Sequence, residues 1–229
     1  GEDFDIVCKF NRKQSVLGLP VNWLGRFLAR REAYAYQRLQ HIPGIAAGCG
    51  PVSDSRQIIL PHAVAHHYIP GRPLSLRKKP DDAFFPQLME TLRQVHQAGF
   101  AYVDLHKREN VLAGDDGRAY LIDFQVSFQT TDGWCWGCVP CHFLLRALQR
   151  MDKYCVFKHV RTQRPIQVGM LGLEEFGRPP IWLRVHRCFA VPLRYVRRKF
   201  LSLLRVRDKS GTAVSERFAE HAFRCDKGS

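Results

Sequence analysis

At 229 residues the chain is long enough for one large domain or two lobes around a shared cleft. Apolar residues make up 45%, yet no apolar run reaches the roughly 18 residues of a membrane-spanning helix, so a globular protein is expected. A balance of 35 basic against 21 acidic side chains leaves a formal charge of +14, which favours polyanionic partners (nucleic acid, anionic lipid, phosphorylated glycan, nucleotide) without choosing among them.

Gly1 leads almost directly into an apolar run, without the charged, apolar and small-residue segments of a signal peptide. Reduced thiols for the eight cysteines and a cytoplasmic setting are therefore expected. A start at Gly1 instead of Met also leads to the expectation that the natural start lies upstream.

Residues 5–10 read as a short buried strand ending near a lysine. Residues 23–40 read as a helix, with Leu24, Phe27, Leu28, Ala35 and Leu39 near helical spacing and Ile42-Pro43-Gly44 as its stop. Two strand-like runs follow at 57–60 and 63–69, and Pro70-Gly71-Arg72-Pro73 then breaks the chain as an inter-lobe linker would. A second helix is expected over 84–99, with Phe85, Leu88, Leu92 and Val95 on one face and Gly99 at its C-terminal cap. After residues 100–103 and a polar loop come Val111-Leu112, a Gly114-Asp115-Asp116-Gly117 hairpin turn and a returning strand over 119–122. Residues 142–160 look helical, and a basic, aromatic stretch over 181–207 reads as two helices parted at Pro192.

The chemistry is concentrated in Tyr102-Val103-Asp104-Leu105-His106-Lys107-Arg108-Glu109-Asn110-Val111-Leu112 and, beyond the hairpin, Leu121-Ile122-Asp123-Phe124-Gln125. An Asp on a polar loop, an Asn shortly after it and an Asp at the end of the returning strand would converge at one hairpin mouth. An amide oxygen with a carboxylate suits Mg²⁺, a hard cation that keeps several waters. A second carboxylate beside them can accept a proton from an attacking hydroxyl, and a nearby lysine can offset phosphoryl charge. Taken singly, each residue is equally at home in a solvated hairpin; the joint pattern is what points to a site.

That pattern resembles the catalytic and metal-binding loops of the protein-kinase-like superfamily, H-R-D-L-x-x-x-N followed by D-F-G. In detail it is more similar to the atypical bacterial branch, the lipopolysaccharide-core sugar kinases and RIO-like kinases, over about residues 5–160. The resemblance implies a two-lobed α+β fold, with a truncated small lobe over 1–70 and a mainly helical large lobe over 71–170; the residues beyond are expected to form a basic helical extension over 171–229. It implies ATP and Mg²⁺ as cofactors, Asp104 as catalytic base, Lys107 as the catalytic-loop lysine (with His106 competing for that place), and Asn110 and Asp123 as metal ligands. Upstream, Lys9 in Val7-Cys8-Lys9 matches the lysine that grips the α and β phosphates. Glu32 matches its helix-borne partner, being the only acidic residue between Asp5 and Asp54. Backbone groups near His67 and Ile69 would meet adenine at the hinge. The implied reaction moves the γ-phosphoryl group of ATP to an alcohol acceptor, a glycan or lipopolysaccharide-core sugar, with a protein serine or threonine, or a pseudokinase scaffold, as alternatives.

The chain departs from the family pattern in several places. Five residues separate Asp104 from Asn110 where the pattern has four, Gln125 replaces the glycine of D-F-G, and Val103 replaces the arginine before the catalytic Asp. No A-P-E follows, which weakens the case for a peptide acceptor, and no glycine-rich loop precedes Lys9.

Two further features compete for attention. Cys135, Cys138 and Cys141 form C-x-x-C-x-x-C, and Cys138 to His142 matches a haem-attachment pattern. The plainer expectation is a compact aromatic–thiol loop. In the tail, Arg184, Arg187, Arg194, Arg197, Arg198, Lys199, Arg205 and Arg207 alternate with Trp182, Phe189, Tyr195, Phe200 and Leu203. This suits a helix packed on the domain or an amphipathic segment on an anionic membrane surface, at roughly 1 kcal/mol per basic residue. Nucleic acid ranks below both, because no nucleic-acid-reading module is present.

Overall fold

The computed structural model describes residues 5–11, 22–75, 79–130 and 138–178. The chain divides at Arg178, and the first unit spans Gly1–Arg178. The expected basic helices over 181–207 lie outside the described residues. The first unit is α+β, with small antiparallel sheets and helices.

Strand β1 (Ile6–Phe10) pairs antiparallel with β2 (Ala63–His67), which sets Lys9 opposite Val64. The strand is not buried as expected: Ile6 and Phe10 are 57% and 53% exposed, and only Val7 and Lys9 turn inward. Side chains alternate across a strand, and among the described residues this sheet has two strands, with helix α1 (Asn22–Leu39) packed on β2.

The helix forms where expected, but its buried face is rotated. Gly25, Ala29, Glu32, Ala35, Tyr36 and Leu39 are buried, whereas Trp23, Leu24 and Phe27 are exposed. Spacings of three and four residues put the buried set on one side, and small side chains there let the helix approach its neighbours closely. Glu32 thus lies inside the stripe that a hydrophobicity reading assigns elsewhere.

Residues 57–60 do not form a strand. Asp54 Oδ1 accepts hydrogen bonds from the amides of Arg56 and Ile58, 2.9 Å each, and closes a turn through Gln57 at φ 61°. This is the local competition that aspartate offers to a ladder. Pro70–Pro73 is no free linker either. Gly71–Pro73 is strand β3, joined to β5 (Val111–Gly114) and β6 (Ala119–Leu121) in the order β3-β5-β6. Gly71 is required by close approach, since a Cβ there would lie 2.5 Å from the Ala113 carbonyl oxygen.

Helix α2 (Phe84–Gln97) buries Phe84, Phe85, Leu88, Thr91, Leu92 and Val95. Gly99 at φ 81° turns the chain into β4 (Phe100–Ala101), which pairs with β7 (Phe128–Gln129). Helix α3 (Val139–Gln163) starts three residues before the expected 142, with Pro140 in its first turn, where a missing N–H costs nothing. Past α4 (Gln167–Met170), a 3₁₀ turn (Glu174–Gly177) packs on α3 and Leu173 and Phe176 are buried. The first unit ends at Arg178. No helix among the described residues is long and apolar enough to cross a membrane.

Candidate functional site

Lys9 projects from the inner face of β1 into a carboxylate pair. Its Nζ donates to Glu32 Oε1 at 3.3 Å and to Asp123 Oδ1 at 2.6 Å, and lies 3.1 Å from Glu32 Oε2. Glu32 is 1% exposed. Burial pushes its carboxyl above the ordinary value, while Lys9 pulls it down and the Asp123 charge adds to the rise. A buried carboxylate of this kind is tolerated because a cation stands beside it. Glu32 Oε2 has the ammonium within ion-pair distance but no well-aligned donor.

Asp123 follows β6 and sits at φ 63°. Its amide donates to the Tyr36 hydroxyl at 3.1 Å, one turn of α1 beyond Glu32. Tyr36 is buried, and burial together with the Glu32 charge keeps its hydroxyl protonated well above the ordinary phenol range. Rings continue this contact into the interior. Tyr36 meets Phe124 edge-on at 5.6 Å between centroids, Phe124 meets Tyr102 edge-on at 5.0 Å, and His66 lies 5.0 Å from Tyr36. The Tyr102 hydroxyl donates to the Ile122 carbonyl. Asp123 is thus tied through Tyr36 to one aromatic column linking β2, α1 and the 102–124 region.

The loop bearing Asp104 is fixed from the opposite side. Asp152 on α3 is fully buried; its Oδ2 accepts from the Tyr102 amide at 2.8 Å and from His96 Nε2 at 3.0 Å, and its Oδ1 from the Val103 amide at 2.8 Å. A carboxylate only accepts, so the imidazole must present N–H at Nε2. Val103 adopts φ 71°, unfavourable for a β-branched residue, and the bond to its amide holds it there. Sequence reasoning missed Asp152. Its signal is an aspartate in the middle of an otherwise apolar helical face, between Leu145 and Val156.

Asp104 itself is buried and surrounded by donors. Lys107 Nζ lies 2.8 Å from its Oδ2, Asn110 Nδ2 donates to the same oxygen at 3.0 Å, and His106 Nδ1 lies 3.3 Å from Oδ1. Lys107 and His106 therefore both reach Asp104. The hydrogen bond to Asp104 raises the Lys107 ammonium above its ordinary value, against partial desolvation. The lengthened segment between Asp104 and Asn110 is taken up by a 3₁₀ turn, Arg108–Asn110, which buries Asn110.

A fit for Mg²⁺ can be judged from the donor atoms. Asn110 gives its amide nitrogen to Asp104, which turns the other end of the amide, an oxygen, away from that bond. The hydrogen bonds to Asp123 fall on Oδ1, from Lys9 and from the Gln125 amide at 3.4 Å. An amide oxygen and a carboxylate oxygen are the ligands Mg²⁺ takes, with phosphate and water supplying the rest. The residues fit the ion.

The hinge residues are less favourable. His67 donates its backbone N–H to the Ala47 carbonyl at 2.9 Å, and its carbonyl lies 2.8 Å from His66 Nδ1. Both backbone polar groups of His67 thus have partners within the fold. Burial lowers the His66 imidazole below its ordinary value. Of the cysteine cluster, Cys135 lies outside the described residues. Cys138 and Cys141 stand at the start of α3 as reduced thiols, hydrogen-bonded to each other. Among the described residues no group of three His, Cys, Asp or Glu side chains is arranged to hold a metal.

No family model matches the sequence, and no curated protein matches it. Among solved structures, the chain is similar to the Rio2 kinase–ADP/Mg²⁺–phosphoaspartate complex from Chaetomium thermophilum. The TM-score is 0.47 at 12% identity, covering 68% of this chain and 48% of that one. The chain spans about half the length of that structure.

Proposed function

We propose that this chain is an ATP-dependent phosphotransferase that moves the γ-phosphoryl group to an alcohol acceptor. The observation that carries the reading is the convergence on Lys9 of Glu32, 23 residues away, and Asp123, 114 residues away. Edge-strand lysines are ordinarily solvated. One held by two carboxylates from distant elements, beside an Asp–Asn–Lys cluster, suits phosphate chemistry.

In this reading Lys9 steadies the α and β phosphates and Glu32 fixes its direction. Asn110 and Asp123 would hold Mg²⁺, which would offset charge on the phosphate oxygens. Asp104 receives the proton of the acceptor hydroxyl at a carboxylate oxygen, oriented by Asn110 and Lys107. Lys107, raised in pKa and therefore charged, can swing from Asp104 toward the transferring group. The acceptor favoured by the family resemblance is a glycan or lipopolysaccharide-core sugar, with a protein hydroxyl second.

Mg²⁺-dependent ATP turnover, measured beside Asp104→Ala and Asp123→Ala, tests this. Slow hydrolysis in the parent that disappears in both variants and on chelation with EDTA is the expected result. ATP binding without turnover in any acceptor pool would make the chain a pseudokinase. Absence of ATP binding would overturn the reading of the hairpin.

A further inference from the structure

Next to the Asp104 loop lies a cavity of about 80 Å³ lined by His106, Arg108, Cys155, Lys158, His159, Thr162 and Gln163. The α3 residues among them recur at steps of three and four, so they form one face of that helix. His106 and Arg108 close the cavity from the loop that carries Asp104. By the same measure of volume one water needs about 10–15 Å³, so a small headgroup with its waters fits.

The lining is built for an anion. Arg108 and Lys158 bring two basic side chains to it, and His159, 8% exposed, donates Nε2–H to the Leu105 carbonyl at 2.8 Å, which leaves the anion to the other groups. Burial first, and then the charges of Arg108, Lys158 and His106, lower the His159 imidazole, as expected for positive groups gathered without enough negative charge. Gln163 adds an independent sign. It is 3% exposed, and neither its Nε2 nor its Oε1 has a partner. Folded proteins seldom leave a buried amide orphaned at both ends unless a ligand, ion or water completes it. The connection to the candidate chemistry is His106, which lines the cavity and contacts Asp104 at 3.3 Å.

We propose that this cavity binds a phosphate group carried by the acceptor, so that the hydroxyl meeting Asp104 belongs to an already phosphorylated molecule. The acceptor part rests on the phosphotransferase reading; the anion site does not. Arg108, Lys158 and the Gln163 amide grip the phosphate oxygens, and His106 lies between the bound anion and the reacting hydroxyl. A neutral sugar would leave the cationic lining uncompensated.

Inorganic phosphate is titrated into the protein at pH 7 while the His159 ring resonances are followed by NMR, in the parent, Lys158→Ala and Gln163→Leu. Saturable shifts in the parent that weaken about tenfold in each variant, the loss of one charge-assisted contact or of one buried polar partner, are expected. Lys158 is exposed, so its variant folds even if the Gln163 variant does not. Shifts that are absent, or unaffected by Lys158→Ala, overturn the site. The second arm compares glycerol 3-phosphate with glycerol as acceptor in the presence of Mg²⁺ and ATP. A KM at least tenfold lower for the phosphorylated alcohol, lost in Lys158→Ala, is expected. Equal use of both, with phosphate bound, overturns the acceptor assignment, and phosphate binding with no ATP turnover refutes the phosphotransferase reading together with the acceptor assignment while leaving the anion site standing.

Discussion

Asp152→Ala is the substitution that most directly tests how the Asp104 loop is held. The carboxylate is fully buried and takes three hydrogen bonds, two from backbone amides at 2.8 Å and one from His96 at 3.0 Å. Bonds to a charged acceptor contribute about 1.5–3 kcal/mol each, and each donor left buried without a partner costs about 1–3 kcal/mol. These figures overlap and cannot be summed; breaking a buried charged cluster from one side costs about 3–5 kcal/mol. Domain stability is about 5–15 kcal/mol, so the variant should fold but only marginally. Urea unfolding followed by circular dichroism reads the effect. With a slope of about 1–3 kcal/mol per molar, the midpoint should fall by roughly 2 M. Asp152→Asn keeps one acceptor oxygen and turns an NH₂ toward a donor, so it should lie between parent and alanine variant. An alanine variant within about 1 kcal/mol of the parent, which is surface-substitution territory, would refute the idea that Asp152 fixes the strained Val103 backbone.

Glu32→Gln should leave the thermal midpoint unchanged or slightly raised, because burial disfavours the charge that it removes; ATP turnover should fall at least about tenfold as Lys9 loses its guide. Gly44→Ala should cost about 2–5 kcal/mol in urea unfolding, since φ is 88° and a Cβ would lie 2.6 Å from the Ala119 carbonyl oxygen. His66 and His159 are both pushed below their ordinary value of 6.5, chiefly by burial, so the unfolded chain takes up protons first. Their contribution is complete above pH 6.5 and is lost as pH falls through the folded values. The stability difference between the parent and His159→Gln, measured at pH 7.5, 6.5 and 5.5, should shrink toward acid. The difference isolates the histidine from Glu32, whose raised carboxyl works with the opposite sign, favouring the fold at low pH and losing that advantage as pH rises through its folded value.

Much of this site is legible from residue order because its parts are local. The Asp104 to Asn110 loop, the hairpin turn and Asp123 fall within about one supersecondary unit, where turn chemistry and alternation act directly. Glu32 is legible by elimination, as the only acidic residue in reach. What residue order hides is set by tertiary contact. The apolarity of Trp23, Leu24 and Phe27 points to one face of α1, while the buried face is chosen by the small residues Gly25 and Ala29. Gly71-Arg72-Pro73 carries turn residues, and its pairing with β5 depends on a partner some 40 residues on that no local pattern reveals. Asp152 offers only a faint signal, an aspartate on a largely apolar helical face, because two of its three partners are backbone amides, and a backbone amide has no letter.

Left-handed backbone occurs at two non-glycine residues of the candidate site, at Val103 (71°) beside Asp104 and at Asp123 itself (63°). Each has its amide held by a side chain from a different helix, Val103 by Asp152 on α3 and Asp123 by Tyr36 on α1. Strain of about 1–3 kcal/mol per residue persists only where surrounding structure over-determines it. Here the over-determination comes from both sides, and the column Tyr36–Phe124–Tyr102 joins the two holds. A hairpin with merely solvated charged ends needs neither strained residue nor either anchor. Such a frame makes sense when Asp104 and Asp123 must keep their positions relative to Lys9 and to each other. Phosphoryl transfer, in which catalysis is almost entirely positioning and electrostatics, is chemistry that makes this demand.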